Sequence, residues 1–243
     1  MADPAFGALG TIYSSGGTSV TSMTSTITNV AVGDLVLAFV QRDWQAQCTG
    51  LTIAGAAATL IKRNNSGANG FSFDVWGMVA ASSYSSASVV ASYSAGQPWG
   101  TIMSARWTPG VLSATPNTSS CNTTGCSGLA ASSTSRLAQS ITTSARSLII
   151  AAGTDWNDYR THTAASGWTE RADGSGSPVT SIQFIFDRIS DAGTFGGATA
   201  FSTTSPSDQY LSVMLAFEVD AAAASTSLAG KHPASKFNHL LVR

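Results

Sequence analysis

The chain has 243 residues, 43% of them hydrophobic and 10% charged, with 12 Lys and Arg against 13 Asp and Glu. That is enough apolar material for a sizeable core, while a net charge of −1 gives no field to gather nucleic acid or an anionic membrane surface. A run of about eighteen apolar residues, which a transmembrane helix needs, is absent, and Met1-Ala-Asp-Pro-Ala-Phe6 lacks the basic start and apolar stretch of a secretory signal.

With so few charges the polar surface falls to Ser, Thr, Asn, Gln and Gly, residues that suit pleated strands and turns better than helices. Residues 1 to 18 read as an extended N-terminal arm. Leu35 to Val40 is a continuous apolar run of central-strand length, followed by a polar loop carrying Asp43 and Trp44. A short strand is expected at Ala58-Thr-Leu-Ile-Lys-Arg63. Phe71, Phe73 and Val75 then alternate before the phase shifts at Trp76, Met78 and Ala80, which predicts a bulge or a strand that changes sheets. Ile102-Met-Ser-Ala105 closes the first half.

From Thr108 to about Ser135 the chain has turn chemistry throughout and contains Cys121-Asn-Thr-Thr-Gly-Cys126. Four residues between two cysteines, one of them Gly125, can close a small ring, so Cys121 and Cys126 are disulfide candidates, with two free thiols as the alternative. Cys48 is expected to be unpaired. Leu148 to Ala152 is a second continuous apolar run, Ile182, Phe184 and Phe186 alternate, and Leu211, Val213, Leu215, Phe217 and Val219 share one face. Residues 221 to 243 start as an Ala/Ser linker and end as a tail with Lys231, Lys236 and Arg243, together with Phe237 and Leu240-Leu241-Val242.

The two halves echo one another. Gly33-Asp-Leu-Val-Leu-Ala-Phe-Val-Gln-Arg-Asp-Trp44 parallels Arg146-Ser-Leu-Ile-Ile-Ala-Ala-Gly-Thr-Asp-Trp156, with the second tryptophan 112 residues after the first. Phe73-Asp-Val-Trp parallels Phe184-Ile-Phe-Asp-Arg-Ile189, and Ile102-Met-Ser-Ala105 parallels Val213-Met-Leu-Ala216. Two copies are too few for a solenoid. The expectation is an all-β, jelly-roll-like antiparallel β-sandwich over residues 19 to 220. Its halves span about 19–110 and 135–220, the Cys-containing loop 111–134 joins them, and they share one core because exposed sheet edges would burden each alone.

Val32-Gly-Asp-Leu-Val-Leu-Ala-Phe39, Ser147-Leu-Ile-Ile-Ala-Ala152 and Ser166-Gly-Trp-Thr-Glu-Arg-Ala-Asp173 resemble a jelly-roll type β-sandwich module of tailed-phage virion structural proteins and bacterial surface proteins. The resemblance covers about residues 20 to 220 and is strongest from 135. It implies a structural or adhesive module and carries no catalytic residues to this chain.

Catalytic constellations are not evident. The histidines are His162, His232 and His239, no Gly-x-Ser-x-Gly joins a strand to a helix, and Asp43, Asp155 and Asp158 lack the symmetry of a carboxylate pair. No enzyme activity and no cofactor are expected. Asp155 and Asp158 could offer Ca²⁺ oxygen ligands, although acids capping a turn are the simpler account. Trp44, Trp156 and Tyr159, on loops after matching strands, could stack on sugar rings or plug the ends of the sandwich; Trp76, Trp107 and Trp168 read as core. In the tail, Phe237, Leu240, Leu241 and Val242 could dock on a neighbouring subunit.

Together these readings favour a non-enzymatic virion structural protein of a phage, a capsid or tail decoration or fibre-type accessory subunit anchored by its arms. Its partners would be other virion proteins or copies of itself, with no nucleic acid and no membrane insertion, in a virion assembled in the host cytoplasm. The alternative is a carbohydrate-binding adhesin or receptor-binding module of a phage fibre or a bacterial cell surface, facing a host glycan.

Overall fold

A computed structural model of the chain describes residues 3–42, 47–65, 71–97, 99–121, 140–156, 162–175, 181–196, 201–203 and 209–220. The described residues are all-β. In chain order the strands are β1 (Phe6–Leu9), β2 (Tyr13–Ser14), β3 (Val20–Val30), β4 (Leu35–Arg42), β5 (Cys48–Ile53), β6 (Ala56–Ala57), β7 (Thr59–Asn65), β8 (Ser72–Val79), β9 (Tyr84–Gln97) and β10 (Gly100–Trp107). After these come β11 (Thr118–Cys121), β12 (Ser140–Thr143), β13 (Ser147–Trp156), β14 (His162–Ala164), β15 (Thr169–Ser175), β16 (Ser181–Ser190), β17 (Gly193–Gly196), β18 (Phe201–Thr203) and β19 (Gln209–Glu218).

Two sheets form the centre. One has the order β1-β10-β4-β8-β7, with β2 also on β10; the other has the order β11-β19-β13-β16-β15. Strand for strand along the chain, β19-β13-β16-β15 follows the same order as β10-β4-β8-β7. Outside the first lies β3-β9-β5-β6, and the second half adds the two-stranded pairs β12-β17 and β14-β18. Every pairing is antiparallel, and β4 is in unbroken register with both β10 and β8.

Side chains on alternate sides of the central strands build different cores. Leu35, Leu37 and Phe39 of β4 meet Leu148, Ile150 and Ala152 of β13 in one cluster. Val36, Ala38 and Val40 face the other way, onto Met23, Ile27 and Val89 of the outer sheet. Ile149 and Ala151 of β13 pack behind, with Ile141 and Trp168. Burial on both faces is what a continuous apolar run in a strand requires, and each fully buried Leu or Phe contributes about 1.5–3 kcal/mol.

The interior holds more than the shared core expected from the sequence. A shared core exists between the central sheets, and each central sheet also covers a core of its own on the far side. The phase shift at Trp76 has the same origin. β8 pairs with β4 without interruption, so there is no bulge between them; Phe73 and Val75 face the shared core while Trp76 faces the outer sheet. The irregularity sits in β7, between Leu60 and Lys62. Trp76, Trp107 and Trp168 are all buried.

Residues 3 to 14, within the segment read as an arm, run along the body. β1 and β2 extend the first central sheet at β10. Phe6 meets Trp107 edge-on with ring centroids 5.7 Å apart. Asp3 pairs with Arg146 beside β13, and Arg146 also reaches Asp191 at 2.7 Å. Beyond Glu218, the Asp220 N–H donates to the Gly110 carbonyl at 2.8 Å, so the chain leaves β19 beside the segment joining the halves.

Candidate functional site

The strands that carry the expected loops end on one side of the molecule. β4 ends at Arg42 and β13 at Trp156, and the two sheets are locked there by Asn64 Nδ2, which donates to the Ser212 carbonyl at 3.0 Å. Asn64 pairs with Phe73 and Phe73 with Gln41, while Ser212 pairs with Gly153, so both residues stand near the outgoing ends of β4 and β13. The β4–β5, β7–β8, β13–β14 and β15–β16 connections all leave from this side. Gly153 has to be glycine: a Cβ there would lie 2.5 Å from the Leu211 carbonyl oxygen and clash with the Cζ edge of the Phe184 ring.

Beneath the first pair of connections lies a buried polar cluster. Arg63 donates through Nε and Nη2 to both carboxylate oxygens of Asp74, at 2.8 and 2.7 Å, and Nη2 also reaches the Cys48 carbonyl at 2.9 Å. A bidentate fork of this kind is both strong and directional, and it holds the Arg63 guanidinium above its ordinary pKa. Cys48 is a free, buried thiol whose pKa burial pushes up to about 11. Burial also raises the neighbouring Tyr93 phenol and lowers Arg42.

The second half solves the same local problem with other residues. The His162 N–H donates to Asp173 Oδ2 at 2.6 Å, and His162 Nδ1 stands 2.9 Å from Asp173 Oδ1. The imidazole lies against Phe184, centroids 4.3 Å apart, and is fully buried. Burial, then the nearby Asp173 carboxylate, raises the Glu170 carboxyl. In both halves a hydrogen bond ties the start of the strand after the loop (β5, β14) to the next long strand (β7, β15): Arg63, held by Asp74, donates to the Cys48 carbonyl, and Asp173 accepts from the His162 backbone N–H. These bonds fix the bases of the loops.

Of the residues singled out from the sequence, Trp44, Tyr159, Asp158, Cys126, Phe237, Leu240, Leu241 and Val242 lie outside the described residues. Asp155 and Trp156 end β13, their backbones paired with Tyr210 and Gln209 of β19, and their side chains also lie outside the description. Cys121 ends β11 and is disulfide-bonded. Among the described residues no group of three or more His, Cys, Asp or Glu is arranged to hold a metal ion. Sequence reasoning missed Asp74 and Asp187, each the single acid of its strand, and Asp173, which shares β15 with Glu170. The available signal was an acid directly after a core aromatic, in Phe73-Asp74 and Phe186-Asp187.

At the opposite end a cavity of about 340 Å³ separates the N-terminal segment from β13, β15 and β16, lined by Asp3, Phe6, Leu148, Arg171 and Asp187 among others. Arg171 Nε donates to Asp187 Oδ1 at 2.8 Å, and its guanidinium lies 5.0 Å from the Phe6 ring centroid. Both charged groups are thus engaged with each other and with the fold. No protein-family model, no curated protein and no solved structure matches this chain.

Proposed function

We propose that the chain is a non-enzymatic structural subunit of a phage virion, built from two related jelly-roll-like halves and attached to its neighbours through its C-terminal tail. The observation that carries this reading is how the buried charges are used. Asp34 pairs with Arg106, Asp74 with Arg63, Asp173 with His162, and Asp187 with Arg171. Each brace stiffens a strand end or a junction, and leaves its acid engaged with the fold rather than turned to a substrate. Asp220, the residue before the tail, is bonded to Gly110, while β4 and β13 end on the side of Asn64 and Ser212, so in this reading loops and tail serve different partners. Removing residues 221 to 243 is the test: the truncated body is expected to fold and to be lost from assembled particles. Unchanged incorporation removes the tail from the account.

A second reading draws on the common side on which β4 and β13 end, the strands that precede Trp44 and Tyr159 in the chain. In that reading the three rings form a sugar-stacking platform on a fibre or a cell surface. Glycan-array binding by the full chain, abolished by Trp44→Ala and Trp156→Ala, would favour it over simple plugging of the sandwich ends.

A further inference from the structure

Two turns at the end opposite the loops carry the most exposed large apolar side chains among the described residues. Val32, between β3 and β4, is 58% exposed and Leu112, beyond β10, is 60% exposed, whereas Leu9, Tyr13, Leu60 and Trp99 reach only 37–38%. The two turns touch, because Gly33 lies against Pro109: a Cβ built on Gly33 would stand 3.2 Å from the Pro109 Cβ. Leu112 also stands at the exit of the C-terminal tail. Its N–H donates to the Glu218 carbonyl at 3.1 Å, Val111 bridges to Val219, and the Asp220 N–H donates to the Gly110 carbonyl. On the other side of Pro109, Thr108 and Ala5 exchange hydrogen bonds. Ala5 lines the cavity of about 340 Å³, so a recess walled by Phe6, Leu148 and Ile189 adjoins the same end.

We infer that this end is the seat of the chain's own C-terminal tail, with Phe237 and Leu240-Leu241-Val242 covering Val32, Pro109 and Leu112. Charge complementarity supports the pairing. Three of the twelve Lys and Arg side chains, Lys231, Lys236 and Arg243, stand in the tail with none of the thirteen acids, which leaves residues 1 to 220 with nine cations against thirteen acids. A basic tail is drawn to an acidic body, and Asp191 and Glu218 are exposed at this end. The tether supports it too. Asp220 is fixed at Gly110, two residues from Leu112, and Phe237 follows 17 residues later, enough chain to turn back. A tether of this kind gives an effective concentration on the order of 1 mM, so even a contact with a Kd of about 1 mM is half occupied. Other occupants suit the end poorly. A second copy presenting the same patch would bury too little, since a stable interface takes about 800 Å² from each partner. An acidic body repels nucleic acid, and the patch holds no ring on which a sugar could stack. The inference goes beyond the proposed function: it concerns the free chain, and attachment to a neighbour would begin by displacing the tail from this seat.

The test is limited trypsin digestion of the full-length chain, with cleavage after Lys236 followed by mass spectrometry in the wild type, in Leu112→Ser and in Leu240→Ser. Circular dichroism melts report folding for each, and Leu240→Ser leaves the body unaltered should Leu112→Ser fail to fold. The inference predicts that the wild type is cut at least about threefold more slowly than either variant, at a rate unchanged when the protein is diluted about a hundredfold. A folded variant cut at the wild-type rate overturns it. Protection that disappears on dilution overturns it as well, by giving the seat to the tail of a second copy.

Discussion

Trp107 Nε1 donates a 2.7 Å hydrogen bond to Asp187 Oδ2, joining the last strand of the first central sheet to the middle of the second through two buried side chains. Asp187 accepts on its other oxygen from Arg171, so one carboxylate serves both halves. Trp107→Phe keeps an aromatic ring and removes the donor. It is expected to cost about 2–4 kcal/mol, combining a lost bond to a charged group with a small cavity. Urea unfolding followed by circular dichroism measures this; a loss under about 0.5 kcal/mol, the range of an ordinary surface change, would remove the bond from the list of braces.

At the loop side, Asn64→Ala withdraws the donor to the Ser212 carbonyl. A buried carbonyl left without that partner costs about 1–3 kcal/mol. The same variant should increase hydrogen exchange in the first residues of β19, while β1 stays unchanged.

Part of the alkaline limb of stability should trace to Cys48, beside the Tyr93 phenol that burial raises in the same direction. Its pKa is raised from 9.0 to about 11 in the folded chain, so the folded state holds its proton more tightly than the unfolded state does. The resulting stability is complete below pH 9 and is lost as pH rises toward 11. Two pKa units correspond to about 2–3 kcal/mol. Comparing unfolding free energies at pH 8 and pH 11, Cys48→Ala should show a fall smaller by roughly that amount. Equal falls in the two proteins would contradict the assignment.

The N-terminal segment should behave differently, because its ion pair is half exposed. The Arg146 hydrogen bond holds the Asp3 carboxyl below its usual 3.8. Its contribution is present above that value and disappears as pH falls through the lowered one. Asp3→Ala is expected to cost less than about 1 kcal/mol at neutral pH, and less again in molar salt. Thermal melts at low and high ionic strength check it.

Much of the central architecture is legible in the chain because central strands advertise themselves: Leu35 to Val40 and Leu148 to Ala152 are unbroken apolar runs, Leu211 to Phe217 is apolar but for Ser212, and all are buried. The outer strands β3 and β9 were not legible. Their outward positions are Ser and Thr, which read equally well as loop, and their inward positions include Ala87, Ala91 and Ser25. Nor could the braces be foreseen. His162 and Asp173 meet between β14 and β15, which do not pair, and Trp107 meets Asp187 across 80 residues. The loop aromatics were located by repeat and not by chemistry, so their side chains remain expectations.

The central claim is that the two central sheets are one mechanical body, welded by the core between β4 and β13 and braced by Trp107 and Asp187. Native-state hydrogen exchange across increasing denaturant tests it most directly. The account predicts that amides of β4, β8 and β10 and those of β13, β16 and β19 merge into a single opening with one free energy. Separate openings, with one set of central strands exchanging several kcal/mol below the other, would mean two independent units that merely touch.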